Sequence, residues 1–157
     1  MTRQGALNVL WKRLFVLLVG ILALCLIVLA IGNEYRGGIL VFLIGNIGGY
    51  VGFHKSLGGL KDGEIIDLAT SWWSIIAPSF IGGVLAMVLY ILFLSGIISG
   101  ELFPRFKPES TAAQGVLSLL DQKADDLHSY AKLFFWSFVG GFNQKHVVDI
   151  IESVKAK

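Results

Sequence analysis

Three long runs of apolar residues constrain the fold of this chain more than any other feature of its sequence. They cover Leu14–Ile31, Ile39–Phe53 and Ser71–Ile98, and none of them contains Asp, Glu, Lys or Arg. A helix of about 20 apolar residues is long enough to cross the hydrocarbon core of a bilayer. The sequence therefore predicts an all-α membrane protein built on a three-span helical bundle in the lipid bilayer.

Composition supports this class and excludes others. Of 157 residues, 55% are hydrophobic and 15% charged, and the mean hydropathy is +0.72, so one soluble core could not bury the apolar residues. The net charge is only +2 without a block of like charge, which argues against duplex DNA as a partner. The lone Cys25 excludes an internal disulfide.

The limits of the spans follow from their flanks. Lys12 and Arg13 precede the first run, which lacks a small-residue cleavage site at its end, so we expect a retained span. In the third run, Trp72 and Trp73 predict an interfacial start, Pro78 a kink, and the true span begins at about Ser79. The predicted spans are about 14–31, 38–54 and 74–98. A polar, glycine-rich segment, 54–67, predicts a loop or a short interfacial helix.

The chain changes character after Glu101. The segment LFPRFKP carries two prolines and predicts a linker at 101–108, which separates a transmembrane domain, 1–100, from a C-terminal helical domain, 109–157. Within the latter, spacings of three and four predict an amphipathic helix of roughly 25 to 30 residues. Its apolar stripe is Val116, Leu120, Ala124, Leu127, Ala131, Phe134 and Phe138.

Two glycines and an asparagine predict how this domain turns. Gly140 and Gly141 are expected to end the amphipathic helix, and Asn143 to act as the N-cap of a last short helix. The C-terminal domain is therefore predicted to be a helical hairpin. The aromatic run 129–142 is too short for a normal span but suits an interfacial or re-entrant helix.

Basic residues near the spans indicate the orientation. One side has five and the other three, which favours a cytoplasmic N-terminus. With three spans the tail would lie outside the cytoplasm, unless 129–142 enters the membrane as a short fourth element. The two sets are Arg3, Lys12, Arg13, Lys55 and Lys61 against Arg36, Arg105 and Lys107.

Small residues four apart in the spans predict close helix contacts. Such pairs let backbones approach where lipid offers no hydrophobic driving force. The amide of Asn46 needs a partner in hydrocarbon, so it should face another helix or a wet cavity. Packing within one chain and packing in a homo-oligomer, for which a tetramer is a reasonable size, both fit. The residues concerned are Gly45, Asn46, Gly49, Gly52, Gly82 and Ala86.

The polar residues after Gly141 predict an anion site. Free backbone N–H groups at the start of a helix favour a phosphate, a headgroup or a carboxylate, and a cation beside them adds to the attraction. The candidate ligand-binding residues are Asn143, Lys145, His146, Arg105 and Lys107. The alternative is an ordinary helix cap followed by a solvated turn. Enzyme signatures and metal-ligand spacings are missing, so we expect no catalytic residues, metal or cofactor.

Two segments carry a resemblance to a known group of proteins. They are VLYILFLSGIISGELFPRF (88–106) and YAKLFFWSFVGGFNQKHVVDIIES (130–153), about 40 residues together. They resemble small bacterial inner-membrane proteins of anti-phage defence, in particular the type III CRISPR membrane effectors that respond to cyclic oligoadenylate. The usual Ser-Glu-Arg after the Gly-Phe is Asn-Gln-Lys here.

The resemblance implies a multi-pass protein of the bacterial inner membrane. It further implies a homo-oligomer whose tail hairpins bind a cyclic oligonucleotide or another anionic ligand, while the spans alter membrane integrity. The expected function is thus a non-enzymatic membrane effector or sensor. The alternative is a structural or assembly subunit of a larger membrane complex.

Overall fold

The computed structural model describes residues 3–31, 36–107 and 122–144, and within these ranges the chain is helical without a strand. These ranges contain five α-helices, and one 3-10 turn, Leu57–Gly59, lies between the second and the third. The helices are α1 (Arg3–Ile31), α2 (Arg36–Ser56), α3 (Asp62–Thr70), α4 (Trp73–Leu94) and α5 (Leu127–Phe142).

Three of the described helical segments are long and apolar enough to cross a membrane, which confirms the predicted spans. They cover Gln4–Ile31, Gly37–Gly59 and Trp73–Leu94. The third span is shorter than the predicted 74–98, because the chain leaves the helix at Ser95 and Gly96 adopts a positive φ of 71°. Pro78 lies inside α4, which begins at Trp73, so helical turns precede the proline; the membrane start expected at about Ser79 stays a prediction.

The core of the molecule lies between α2, α4 and α5. Val41 of α2, Leu89 of α4 and Leu133 of α5 are all buried in one apolar cluster. The start of α2 lies near the end of α4, and α5 begins near that same end, so α4 runs antiparallel to both of its neighbours. Glycines on α2 allow this packing, because backbones can approach closely where no side chain intervenes.

Helix α5 differs from the long amphipathic helix that was predicted. It begins only at Leu127, because Asp126 accepts a hydrogen bond from the backbone N–H of Ser129 (2.6 Å) and acts as its N-cap. Just before it, Ala124 pairs with Phe106 in an isolated antiparallel bridge. A continuous helix through residues 122–126 was therefore wrong, and residues 109–121 of the predicted hairpin lie outside the described part of the chain.

The buried face of α5 is not the predicted stripe. Leu127 is 86% exposed and Ala131 is exposed as well, whereas small and polar side chains lie inside. Small residues on the buried face let the backbone of α5 approach α2 closely, as at Gly141. The buried residues of α5 are Ser129, Leu133, Ser137, Gly140 and Gly141.

Gly140 and Gly141 were expected to end the helix, but they do not. Both lie in its last turn with right-handed backbone, and the helix continues to Phe142. Their role is close approach, because a Cβ on Gly141 would collide with the carbonyl oxygen of Gly45 in α2. Asn143 is the C-cap of α5, and the last short helix predicted after it lies outside the described residues.

The predicted linker is folded onto the bundle. The backbone N–H of Asp125 donates to the carbonyl of Arg105 (2.9 Å), and that of Lys107 to the carbonyl of Lys123 (3.1 Å). Trp136 of α5 donates from Nε1 to the carbonyl of Leu102 (2.9 Å). Because α5 packs on α2 and α4, the boundary predicted at 101–108 does not separate this helix from the spans.

Helix α1 contacts the rest of the molecule through its first half. Leu10 and Leu14 are buried with Ile75 of α4, and the Trp11 ring meets His54 at the end of α2, as expected for an antiparallel hairpin. The second half is exposed, with Leu26 and Ile31 each at 68%. Among the described helices, contacts with α1 are therefore concentrated on its first half.

Helix α3 lies in the polar segment, for which a loop and a short interfacial helix were the two expectations; the segment forms a short helix. It turns Ile65 and Ala69 toward Ala6 of α1 and exposes Glu64 and Asp67. Arg13 of α1 donates to the carbonyl of Ala69 (2.8 Å), where a cation complements the negative end of the helix dipole.

Candidate functional site at the end of helix α5

The last turn of α5 is held against α2 by backbone contacts. A Cβ on Gly52 would lie 2.6 Å from the carbonyl oxygen of Phe142, and one on Gly48 would collide with that of Phe138. Real Cβ atoms essentially never approach within 3.0 Å, so neither position accepts a side chain without movement. We call these glycines and Gly141 the glycine seam.

The residues predicted to pack oligomers lie at contacts within the chain. A Cβ on Gly45 would lie 2.7 Å from the carbonyl oxygen of Gly82 and would also overlap Ala86. One on Gly49 would lie 2.7 Å from the carbonyl oxygen of Pro78. Gly52 faces α5. Of the two alternatives left open by the sequence, these contacts match packing within one chain. The homo-oligomer stays a prediction.

Asn46 has the helix partner that its burial requires. Its Nδ2 donates to the carbonyl of Phe42 in its own helix (2.8 Å), and its carbonyl accepts from Ser79 Oγ of α4 (2.8 Å). The side chain is 8% exposed, and Ser79 is 2% exposed. The pair satisfies polar groups that hydrocarbon would leave unpaired, and so joins α2 to α4.

Gln144 holds the end of α5 against α4, a role that no local sequence pattern indicates. Its Nε2 donates to the carbonyl of Pro78 in α4 (2.9 Å). Asn143 instead donates its backbone N–H to the carbonyl of Val139 (2.8 Å), as a C-cap does. The contact of Gln144 joins residues far apart in the chain, which local spacing does not reveal.

Lys55 is a second residue at this end that was overlooked as a site. Its Nζ lies 5.5 Å from the centre of the Phe142 ring, a cation–π distance. The Phe142 ring stacks in turn on Phe138 at 5.9 Å. A lysine that directly follows an apolar run was a usable signal, but it entered the sequence argument only as a charge.

The structure does not bring the predicted anion-site residues together. Arg105 and Lys107 lie at the start of α5, where the backbone N–H of Arg105 donates to Ser129 Oγ (3.3 Å). Asn143 lies at the other end of this 16-residue helix, about 24 Å away. Lys145 and His146 are outside the described residues. One compact ligand cannot contact both ends of α5 in one chain.

The start of α5 is a capped and charged surface. The pKa of the Asp126 carboxyl is lowered, chiefly because the carboxylate accepts a hydrogen bond from the Ser129 backbone and then because His128 and Lys132 are near. Lys132 Nζ donates to the carbonyl of Glu101. The contact of Lys132 holds the start of α5 against the segment that follows α4.

Residues 3–31, 36–107 and 122–144 contain no group of three or more His, Cys, Asp or Glu that could hold a metal ion. Comparison with known protein families, curated proteins and solved structures gives no match. What the protein does has to be inferred from the geometry of these helices.

Proposed function

We propose that this protein is a non-enzymatic, homo-oligomeric membrane effector or sensor. Its α5 acts as a short fourth crossing beside α2 and α4, and the segment that follows α5 receives an anionic signal. A cyclic oligonucleotide of the kind used in anti-phage defence is the ligand that the resemblance of segments 88–106 and 130–153 suggests.

The observation that carries this proposal is the fit of α5 against α2. The glycine seam leaves no space between the two backbones, and Gln144 ties the end of α5 to Pro78 of α4. Packed interfaces of this kind rearrange in discrete steps, because they cannot deform continuously. If a ligand bound to the segment after Gln144 displaces α5, then α2 and α4 would therefore move with it.

A fourth crossing also changes the sidedness of the tail. Since α5 runs back along α4, Gln144 lies beside Pro78, near the start of α4 and at the same end of the bundle as the start of α1. With α5 as a crossing, the tail and the N-terminus share one side of the membrane. A cytoplasmic signal can then reach the tail whenever the N-terminus is cytoplasmic.

With α5 as a crossing, the basic residues still favour a cytoplasmic N-terminus. Lys123 and Lys132 are at the start of α5, so they join the smaller of the two sets and raise it from three to five. The tail residues Lys145, Lys155 and Lys157 join the larger set and raise it from five to eight. The count is then eight against five, and the positive-inside rule favours a cytoplasmic N-terminus together with a cytoplasmic tail. The shared side of the two ends does not depend on this count.

The proposal is tested with the purified protein in dye-loaded vesicles. We expect leakage on addition of cyclic oligoadenylate, and loss of that leakage in Lys145→Glu, which places negative charge where the ligand's charge would lie. Lys155→Glu is the matched control near the chain end and should retain leakage. A folded protein that leaks with no cyclic oligoadenylate ligand, or Lys145→Glu leakage equal to wild type, would contradict the anion-receiving role.

A structural or assembly subunit is the second candidate function. The exposed second half of α1 favours it, because Val19, Leu26 and Ile31 have no cover from the described helices. A subunit should be inert in vesicles and should copurify from mild detergent with one other membrane protein in constant ratio. An effector should act without that protein.

A further inference from the structure

We propose that the cavity between α1, α3 and the end of α2 binds an anionic phospholipid. The cavity has a volume of about 510 Å³. Its walls are largely apolar and include Leu7, Leu10 and Ile65, while His54 and Lys55 line it at the end of α2. Such a cavity holds an acyl chain against the walls and a headgroup at the charged residues.

With α1 and α2 as spans, the cavity would lie at the level of the lipid headgroups. It is formed by the beginning of the first span and the end of the second. Trp11, which also lines it, is 49% exposed, and tryptophan is enriched at membrane interfaces. The amphipathic α3 forms one side of the cavity, and its exposed Glu64 and Asp67 indicate that its outer face is wet.

The charge of the lining selects an anionic headgroup. The lining contains a lysine and a histidine but no Asp or Glu. Glu64 is turned back to the start of its own helix, where Oε2 accepts the backbone N–H of Lys61 (2.8 Å). Basic pockets between membrane helices attract acidic headgroups for this reason. Trp11 packs edge-on against the His54 ring at 4.9 Å and orients it at the rim.

The lipid site shares one side chain with the end of α5. Lys55 lines the cavity and also lies over the ring of Phe142. A headgroup that draws Lys55 toward the cavity competes with that cation–π contact. The lipid site itself does not depend on the proposed effector function.

The test uses the fluorescence of Trp11 in vesicles. Trp72→Phe, Trp73→Phe and Trp136→Phe leave Trp11 as the only tryptophan. We expect stronger quenching by brominated phosphatidylglycerol than by brominated phosphatidylcholine at equal ionic strength. Lys55→Gln should reduce that preference about five-fold, because one cation near an anionic membrane surface contributes on this scale.

Lys12→Gln is the matched control, since Lys12 is an exposed lysine at the same end of the bundle that does not line the cavity. An equal loss in both variants would show general surface attraction and would overturn the site. Equal quenching by the two lipids in wild type would overturn it as well. Displacement of the lipid by millimolar inorganic phosphate would indicate a site for a free anion instead.

Native mass spectrometry provides a readout that does not need the tryptophan substitutions. The unmodified protein, released from mixed detergent and lipid micelles, should retain phosphatidylglycerol over phosphatidylcholine. Lys55→Gln should lose this selectivity and Lys12→Gln should keep it. Retention of both lipids in equal amounts by the unmodified protein would contradict the proposal.

Discussion

At the scale of single residues, glycines without a Cβ allow the helix backbones to approach closely. Gly48 faces the backbone of α5 so closely that a methyl group would meet the carbonyl oxygen of Phe138 and the backbone nitrogen of Phe142. Gly20 of α1, by contrast, has nothing within 4 Å of the position that a Cβ would take. The two positions therefore form a natural pair for mutation.

We expect Gly48→Ala to destabilise the protein by roughly 1–3 kcal/mol, the usual cost of overpacking. Gly20→Ala should be neutral, or stabilising by up to about 1 kcal/mol, because alanine favours the helix. Unfolding in mild detergent with increasing dodecyl sulfate measures both. Equal stability of the two variants would mean that α5 does not press on α2.

The carboxylate of Asp126 gives a pH-dependent prediction. Its pKa is lowered by the backbone hydrogen bond from Ser129, so its contribution to stability is present above the ordinary aspartate pKa, 3.8. That contribution is lost as pH falls through the lower, folded-state pKa. We expect Asp126→Ala to melt below wild type at pH 7, with the gap closing below pH 3.8.

Asp126→Asn is the control, because its side-chain oxygen can still cap the helix but does not titrate. At pH 7 its melting temperature should lie between those of wild type and Asp126→Ala, and its difference from Asp126→Ala should not change with pH through the aspartate range. A constant gap between Asp126→Ala and wild type at all pH values would mean that the carboxylate charge is not involved.

At the scale of helices, the sequence predicts what depends on length and hydropathy. The three spans follow from their apolar runs, whereas for the polar segment that contains α3 the sequence left a loop and a short helix as alternatives. Asp126, the N-cap of α5, was a local signal for its start that the sequence argument overlooked, whereas local spacing could not predict the pairing of Ala124 with Phe106 across 18 residues. Gly140 and Gly141 resembled a helix end, but their role is set by α2, which is distant in sequence.

The buried face of α5 was predicted wrongly for a separate reason. An apolar stripe marks the buried face of a helix in water, whereas lipid solvates such a stripe. The stripe through Leu127 and Ala131 is accordingly exposed, and the buried face carries Ser129, Ser137 and glycines. Spacing along the chain also could not show that Arg105 and Lys107 lie at one end of α5 and Asn143 at the other.

Leu133 and Phe135 test which face of α5 is packed. Leu133 is 1% exposed and Phe135 is 60% exposed. We expect Leu133→Ala to destabilise the protein by about 2–5 kcal/mol, since it leaves a cavity among Val41 and Leu89. Phe135→Ala should cost much less, because its ring faces outward. Limited proteolysis in detergent should cleave the loop before α5 faster in the first variant only.

At the scale of the whole molecule, the account depends on α5 lying beside the spans. Four crossings place both ends of the chain on one side, whereas three would place them on opposite sides. The proposed signal, the tail and the first turns of α1 then share a compartment. The lipid cavity lies at that same end, so a headgroup there and the end of α5 meet at Lys55.

Cysteine labelling from one side of the membrane tests this arrangement most directly. In a Cys25→Ser background, single changes Gln4→Cys, Asn143→Cys and Leu102→Cys report the start of α1, the end of α5 and the turn between α4 and α5. All three positions are exposed. With an impermeant maleimide on sealed, oriented vesicles, Gln4→Cys and Asn143→Cys should label together, and Leu102→Cys only from the opposite side. Labelling of Asn143→Cys together with Leu102→Cys would show that α5 does not cross, and would contradict the account.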